Sequence, residues 1–148
     1  MVADKVEQLT APLNPLQLID RPYASLGTME ITPSIANKFT KAQELTVFVF
    51  VYNPKPDSGG KTPDVQVEFN FYAKSGGAEK FFNKTNPQAL NAQTLPPQFD
   101  LNAGHQLPGS IQVPLASFPA GDYRLEIKVT DKLADKILTR EVNFTVGA

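Results

Sequence analysis

Hydrophobic and polar positions in this chain repeat mostly with a period of two and rarely with the period of a helix. The clearest stretch is 64–74, where Val65, Val67, Phe69, Phe71 and Ala73 alternate with Gln66, Glu68, Asn70 and Tyr72. Alternation sends successive side chains to opposite faces, so the segment reads as a half-buried antiparallel strand. Ser75-Gly76-Gly77 follows as a hairpin turn, and 79–85 as the returning strand. The same pattern predicts strands at 109–115 (Ile111, Val113, Leu115 inward) and 123–130 (Tyr123, Leu125, Ile127, Val129 inward). It predicts another at 137–146, with Val142, Phe144 and Val146 inward. Earlier candidates are 16–20 and 27–32. The run 44–53 is apolar at both parities (Val47, Val49, Val51 against Phe48, Phe50, Tyr52), as expected of a central strand covered on both sides.

No window of 11 or more residues holds a helical stripe. The nearest, 35–45 with Ile35, Phe39 and Ala42, follows Pro33 and predicts at most one short helical turn. Two segments read as loops. Segment 53–63 contains Pro54, Pro56, Pro63, Asp57 and the pair Gly59-Gly60; segment 86–108 contains Pro87, Pro96, Pro97 and Pro108. A connection as long as the second is uncommon in a compact domain and marks a functional or self-packed loop. Strands separated by turn signals, without intervening helices, predict an all-β antiparallel fold, a β-sandwich or barrel, with the sandwich of about 7–9 strands the leading reading. The expected layout is one sandwich domain over 15–148, with 1–14 a linker or flexible N-terminus.

Composition narrows the chemistry. The 148 residues are 41% hydrophobic and 20% charged, with formal net charge −1, no cysteine, no tryptophan and one histidine. That is one domain's worth of core material. The absence of cysteine removes disulfides, thiolate zinc sites, iron–sulfur clusters and a cysteine nucleophile. One histidine cannot build a multi-histidine metal centre. The balanced charge gives no footprint for nucleic acid. The longest apolar run, 47–52, is far below the roughly 20 residues of a membrane helix. The first residues do not form a basic region followed by an apolar stretch, so no signal peptide is read there. Two readings follow, a complete cytoplasmic protein or a domain excised from a longer one, and the chain's end just after a strand-like run favours the second.

The candidate chemical residues have ordinary readings. His105 sits in a polar loop with no nucleophile-elbow pattern nearby, and is expected at the surface. Asp57, Asp64, Asp100, Asp122, Asp131 and Asp135 fall in turns, where aspartate bonds its own backbone. Lys132 and Lys136 beside Asp131 and Asp135 oppose a calcium site. A lysine–asparagine crosslink would need a dry site, whereas Asn143 alternates outward. Neither glycine pair precedes a helix, so no phosphate loop is expected. No catalytic residue, cofactor or metal is assigned.

The segment Val113 to Asp131 contains Phe118-Pro119-Ala120-Gly121-Asp122-Tyr123-Arg124-Leu125-Glu126-Ile127-Lys128-Val129. It resembles the signature near the end of bacterial immunoglobulin-like modules: proline, glycine, then tyrosine, leucine, a hydrophobic residue and valine at alternate positions. The likeness implies that Tyr123 forms a tyrosine corner. Ala134 stands where many such modules have a turn glycine. The chain as a whole is similar to C-terminal sandwich regions of large exported bacterial proteins, some of which carry a GWxTD domain, a sequence absent here. These resemblances imply an immunoglobulin-like or fibronectin-III-like fold and an extracytoplasmic location, in the periplasm or at the cell surface. They imply no chemistry.

The expected role is therefore non-catalytic: a structural or protein-interaction module whose partner is another protein or a neighbouring domain. The alternative is a carbohydrate-binding module using exposed tyrosines and the 86–108 loop. Tyr52 and Tyr72 are the ligand or interface candidates, because Tyr72 falls on the polar side of its strand and Tyr52 closes an apolar run beside a loop.

Overall fold

The computed structural model describes the backbone of residues 2–8, 24–26, 29–34 and 36–148, and the side chains of Ser34 and 36–148. The chain is all-β and builds two sheets. The first has strand order β2-β3-β1-β5-β9, from β1 (Val2–Gln8), β2 (Ala24–Leu26), β3 (Met29–Pro33), β5 (Glu44–Val51) and β9 (Leu107–Pro114). The second has order β4-β11-β10-β6-β7, from β4 (Lys38–Thr40), β6 (Val65–Ser75), β7 (Ala78–Lys84), β10 (Gly121–Asp131) and β11 (Lys136–Gly147). A further short strand, β8 (Gln88–Leu90), pairs with Val65–Val67, on the edge of β6 opposite β10. Eight of the eleven strands among the described residues are longer than three residues, in keeping with the expected sandwich of about 7–9 strands.

Alternation along β6, β10 and β11 sends one face of the second sheet into the sandwich. Val65, Val67, Phe69, Phe71, Tyr123, Leu125, Ile127, Phe144 and Val146 are buried there. Leu45, Val47, Leu107 and Ile111 face them from the first sheet. With no tryptophan, phenylalanine fills the centre. The Phe118 ring lies 4.8 Å from Phe82, 5.2 Å from Tyr123 and 5.5 Å from Phe71. These tilted and edge-on contacts are the arrangements aromatic rings prefer. The β6–β7 hairpin turns through Gly76 (φ 57°) and Gly77 (φ 83°), the left-handed pair of a two-residue turn. At Gly109 a Cβ would meet Val49 Cγ1 of the paired strand at 3.0 Å and, from the other sheet, Gln88 Oε1 at 3.4 Å and Val67 Cγ2 at 3.7 Å. Beside it, the Gln88 side-chain amide donates to the Ser110 carbonyl and joins β8 to β9 across the gap.

β5 is central, between β1 and β9, and buries Val47 and Phe48 on opposite parities, as its two-sided apolar pattern predicts. Among the described residues of 35–45 no helix forms, within the expected limit of one short turn; Gln43 N donates to the Thr40 carbonyl (3.1 Å) in a single tight turn. Before it, β4 lies along the end of β11, pairing Lys38, Phe39 and Thr40 with Thr145, Val146 and Gly147. Burying Phe39 against Phe144 (6.4 Å) and giving the backbone a ladder outweigh a weak helical stripe. That pairing is parallel, so the sandwich is antiparallel except at this edge. β9 begins at Leu107, two residues earlier than its pattern suggested, with Pro108 inside it. Val2–Gln8 forms a strand, so 1–14 is not a linker throughout. The strand expected at 16–20 lies outside the described residues, as do residues 9–14.

One end of the sandwich gathers the connections 52–64, 91–106 and 132–135. Lys55 N donates to Asp131 Oδ2 (2.8 Å), Lys132 N to the Asp64 carbonyl (2.9 Å) and Leu101 N to the Lys61 carbonyl (2.9 Å).

Candidate functional site

The three tyrosines singled out by pattern meet three different fates. Tyr123, near the start of β10, is 2% exposed, and its hydroxyl donates to the Pro119 carbonyl at 2.6 Å. This bond from the strand back to the preceding turn is the geometry of a tyrosine corner. Burial pushes its phenol pKa up.

Tyr72 lies on the outer face of β6, in a cross-strand row with Phe81 of β7 and Arg124 of β10. The Arg124 guanidinium carbon stands 4.3 Å above the Tyr72 ring, and Phe81 packs edge-on at 5.8 Å. Arg124 Nε donates to Glu79 (2.6 Å) and Nη1 to Glu141 (2.9 Å), with Glu126 at 3.6 Å. The hydrogen bond to Glu79, with the charges of Glu79, Glu141 and Glu126, outweighs desolvation and raises the guanidinium pKa. A face of Tyr72 is therefore already occupied by an anchored cation.

Tyr52 follows β5 and is 75% exposed. It stands over a cleft of about 390 Å³, walled by the ends of β5 and β9 and by the two loops between which it lies. Tyr52 follows β5 of the first sheet and Tyr72 lies in β6 of the second, so these two candidates do not form one platform. The 86–108 loop, by contrast, does meet Tyr52 there: Leu101, Asn102, Gly104, His105, Gln106 and Leu107 line the same cleft.

Both loops are locked by their own polar groups. Asp57 Oδ1 accepts from Lys61 N (3.3 Å) and Thr62 N (3.4 Å), and Asp57 N donates to the Thr62 carbonyl (2.8 Å). Desolvation raises the Asp57 pKa. Hydrogen bonds from the Thr62 and Lys61 backbones, the Thr62 side chain and the Gly59 backbone outweigh it and hold the carboxyl below its ordinary value. In the second loop Asp100 caps a turn of 3₁₀ helix, Leu101–Ala103, accepting from Asn102 N (2.8 Å), and Gly104 (φ 79°) ends it in the left-handed conformation. His105 N donates to the Asp100 carbonyl (3.4 Å), and Asp100 N donates to His105 Nδ1 (3.1 Å). An accepting Nδ1 makes the neutral ring the Nε2–H tautomer. The His105 ring rests on Phe99 at 5.8 Å, so this surface histidine also organises its loop.

Asp57, Asp100 and Asp131 behave as turn residues, each accepting bonds from nearby backbone N–H groups, whereas Asp122 lies within β10 and accepts instead from the cross-strand Thr145 hydroxyl at 2.7 Å. Among the described residues no group of three or more histidine or carboxylate side chains is placed to hold a metal ion. No described helix is long and apolar enough to cross a membrane. Lys74 Nζ does meet Asn143 Oδ1, at 2.7 Å, but on the outer sheet surface, without the dry setting that amide exchange requires. Sequence reasoning missed Asn53, Asn102 and Gln106 as cleft residues, because isolated amides in loops carry no pattern. Compared with known proteins, the chain matches no family model and no curated relative.

Proposed function

We propose that this chain is a non-catalytic, immunoglobulin-like structural and protein-interaction module of an exported bacterial protein, working outside the cytoplasm. The strand order supports the immunoglobulin-like part. β7-β6-β10-β11 in one sheet follows the C′-C-F-G order, and the adjacent β5 and β9 of the other occupy the places of B and E. Tyr123 stands where the corner tyrosine of strand F belongs. The exported bacterial setting rests on the resemblance of segment 113–131.

The open edge of β11 carries the interaction reading. Among the described residues, its outer edge is paired only at Thr145–Gly147, leaving the backbone from Lys136 to Asn143 open for a further strand. Ile137 and Leu138, on opposite faces of this stretch, are 59% and 60% exposed. An unpaired edge flanked by apolar side chains is a template for strand addition: the ladder supplies affinity and alternate side chains supply selectivity.

Selection of a random 12-residue peptide library on the immobilised chain tests this. The expected binders are extended, β-branched sequences that slow amide exchange across Lys136–Asn143 and lose affinity in the Leu138→Lys variant. Failure to select any binder, or binders that protect another surface and ignore that substitution, would overturn it.

A further inference from the structure

We infer that the Tyr52 cleft is a binding site for an uncharged sugar, one or two rings in size, at the opposite edge of function from strand addition and independent of it. Four observations carry this. First, among the described residues the lining contains no Asp, Glu, Lys or Arg, in a chain that is 20% charged. A charged ligand would enter without a countercharge, whereas a neutral polar one finds suitable partners. Second, the lining offers both parts of a sugar's surface their match. Tyr52, 75% exposed, with Pro54 and Pro56, provides apolar and aromatic surface for the C–H face of a ring. Asn53, Asn102 and Gln106 each provide an amide donor and acceptor for neighbouring hydroxyls, and His105 keeps a donor at Nε2 once Nδ1 has accepted from Asp100 N.

Third, the walls are preformed. Loop 57–62 is closed by Asp57 and loop 99–105 by the reciprocal Asp100–His105 bonds, and Leu101 N to the Lys61 carbonyl ties one to the other. Binding then orders little new backbone, which keeps the entropic cost low. Fourth, a cleft of about 390 Å³ lies at the small end of the usual 300–1,000 Å³ range for ligand sites. A proline-rich peptide is the competing occupant, but it needs a row of exposed aromatics to form successive grooves. Among the described lining residues, Tyr52 is the one large hydrophobic exposed above a third.

The test is a nitrogen–proton correlation NMR titration of the intact chain with four soluble tetrasaccharides, built from glucose, xylose, galactose or N-acetylglucosamine, and with a proline-rich decapeptide. At least one sugar is expected to shift the amides of Tyr52, Asn102 and Gln106 with a Kd of about 0.1–5 mM, an affinity ordinary for a small polar ligand. Tyr52→Ala should weaken that binding about tenfold or more, and Tyr52→Phe, which keeps the ring, by about threefold at most. Tyr72→Ala should leave it unchanged. A melting temperature unchanged in Tyr52→Ala would show that lost binding is not lost folding. The proposal is overturned by the absence of sugar-dependent shifts in the cleft at about 20 mM ligand, by binding that survives Tyr52→Ala, or by binding of the decapeptide alone.

Discussion

Two regions of this sandwich carry tyrosines that the alternation pattern makes equivalent, and the structure makes them opposites. On the outer face of the β6–β10 pair, Tyr72 is held between Phe81 and an Arg124 side chain bound to Glu79 and Glu141. At the loop end, Tyr52 is left open while the surrounding polar groups bond to their own backbones. The difference teaches that availability is set by neighbours across strands. A sheet face surrounds each outward side chain with cross-strand partners about 5 Å away. A loop end satisfies its backbone locally and leaves side chains free.

If the β6–β10 region is the stability-bearing half of this comparison, substitutions there should cost far more than those at the loop end. The largest effect should come from Phe118→Ala, beneath the same sheet, which removes the ring shared by Phe71, Phe82 and Tyr123. A loss of about 3–5 kcal/mol is expected in urea unfolding. A loss under about 1 kcal/mol would mean that the aromatic cluster is not the centre of the core. Tyr123→Phe removes only the bond to the Pro119 carbonyl and should cost about 1 kcal/mol. Arg124→Ala should cost about 0.5–1 kcal/mol and expose Tyr72. In a double-mutant cycle with Tyr72→Ala the two losses should fail to add; additivity would make Tyr72 as free as Tyr52.

The smallest effect belongs to the loop end and depends on pH. The Asp57 pKa is lowered in the folded chain, so the folded state binds that proton more weakly than the unfolded one. Its contribution is fully present above the ordinary carboxylate range, about pH 4, and is lost as pH falls through the folded value. The melting-temperature gap between the wild type and Asp57→Asn should therefore shrink from pH 7 towards pH 2. A gap that stays constant would show that Asp57 acts through shape alone.

Much of the second sheet was legible from the chain alone. Segments 64–74, 79–85, 123–130 and 137–146 match β6, β7, β10 and β11 closely: β6, β10 and the last third of β11 bury one face, which a one-residue slip would turn outward, and the mostly exposed β7 is set by the tight turn before it. Gly76-Gly77 was legible for a different reason: two consecutive left-handed positions select glycine. β4 was not legible, since three residues hold no period and their pairing partner lies over 100 residues away. The candidate site was half legible. Tyr52 and the 86–108 loop were both flagged, but that they share a cleft depends on Leu101 N reaching the Lys61 carbonyl, a contact between loops with no common pattern.

The division between the two levels is physical. Periodicity, proline and glycine placement and the lack of cysteine and tryptophan act locally or on the whole composition, so by themselves they determined an all-β chain with a phenylalanine-filled core. Strand order, the parallel β4–β11 edge, the capture of Tyr72 by Arg124 and the opening beside Tyr52 depend on which distant segments meet. Backbone hydrogen bonding and core burial choose among many such meetings only once the whole chain has packed, so those features belong to the tertiary structure alone.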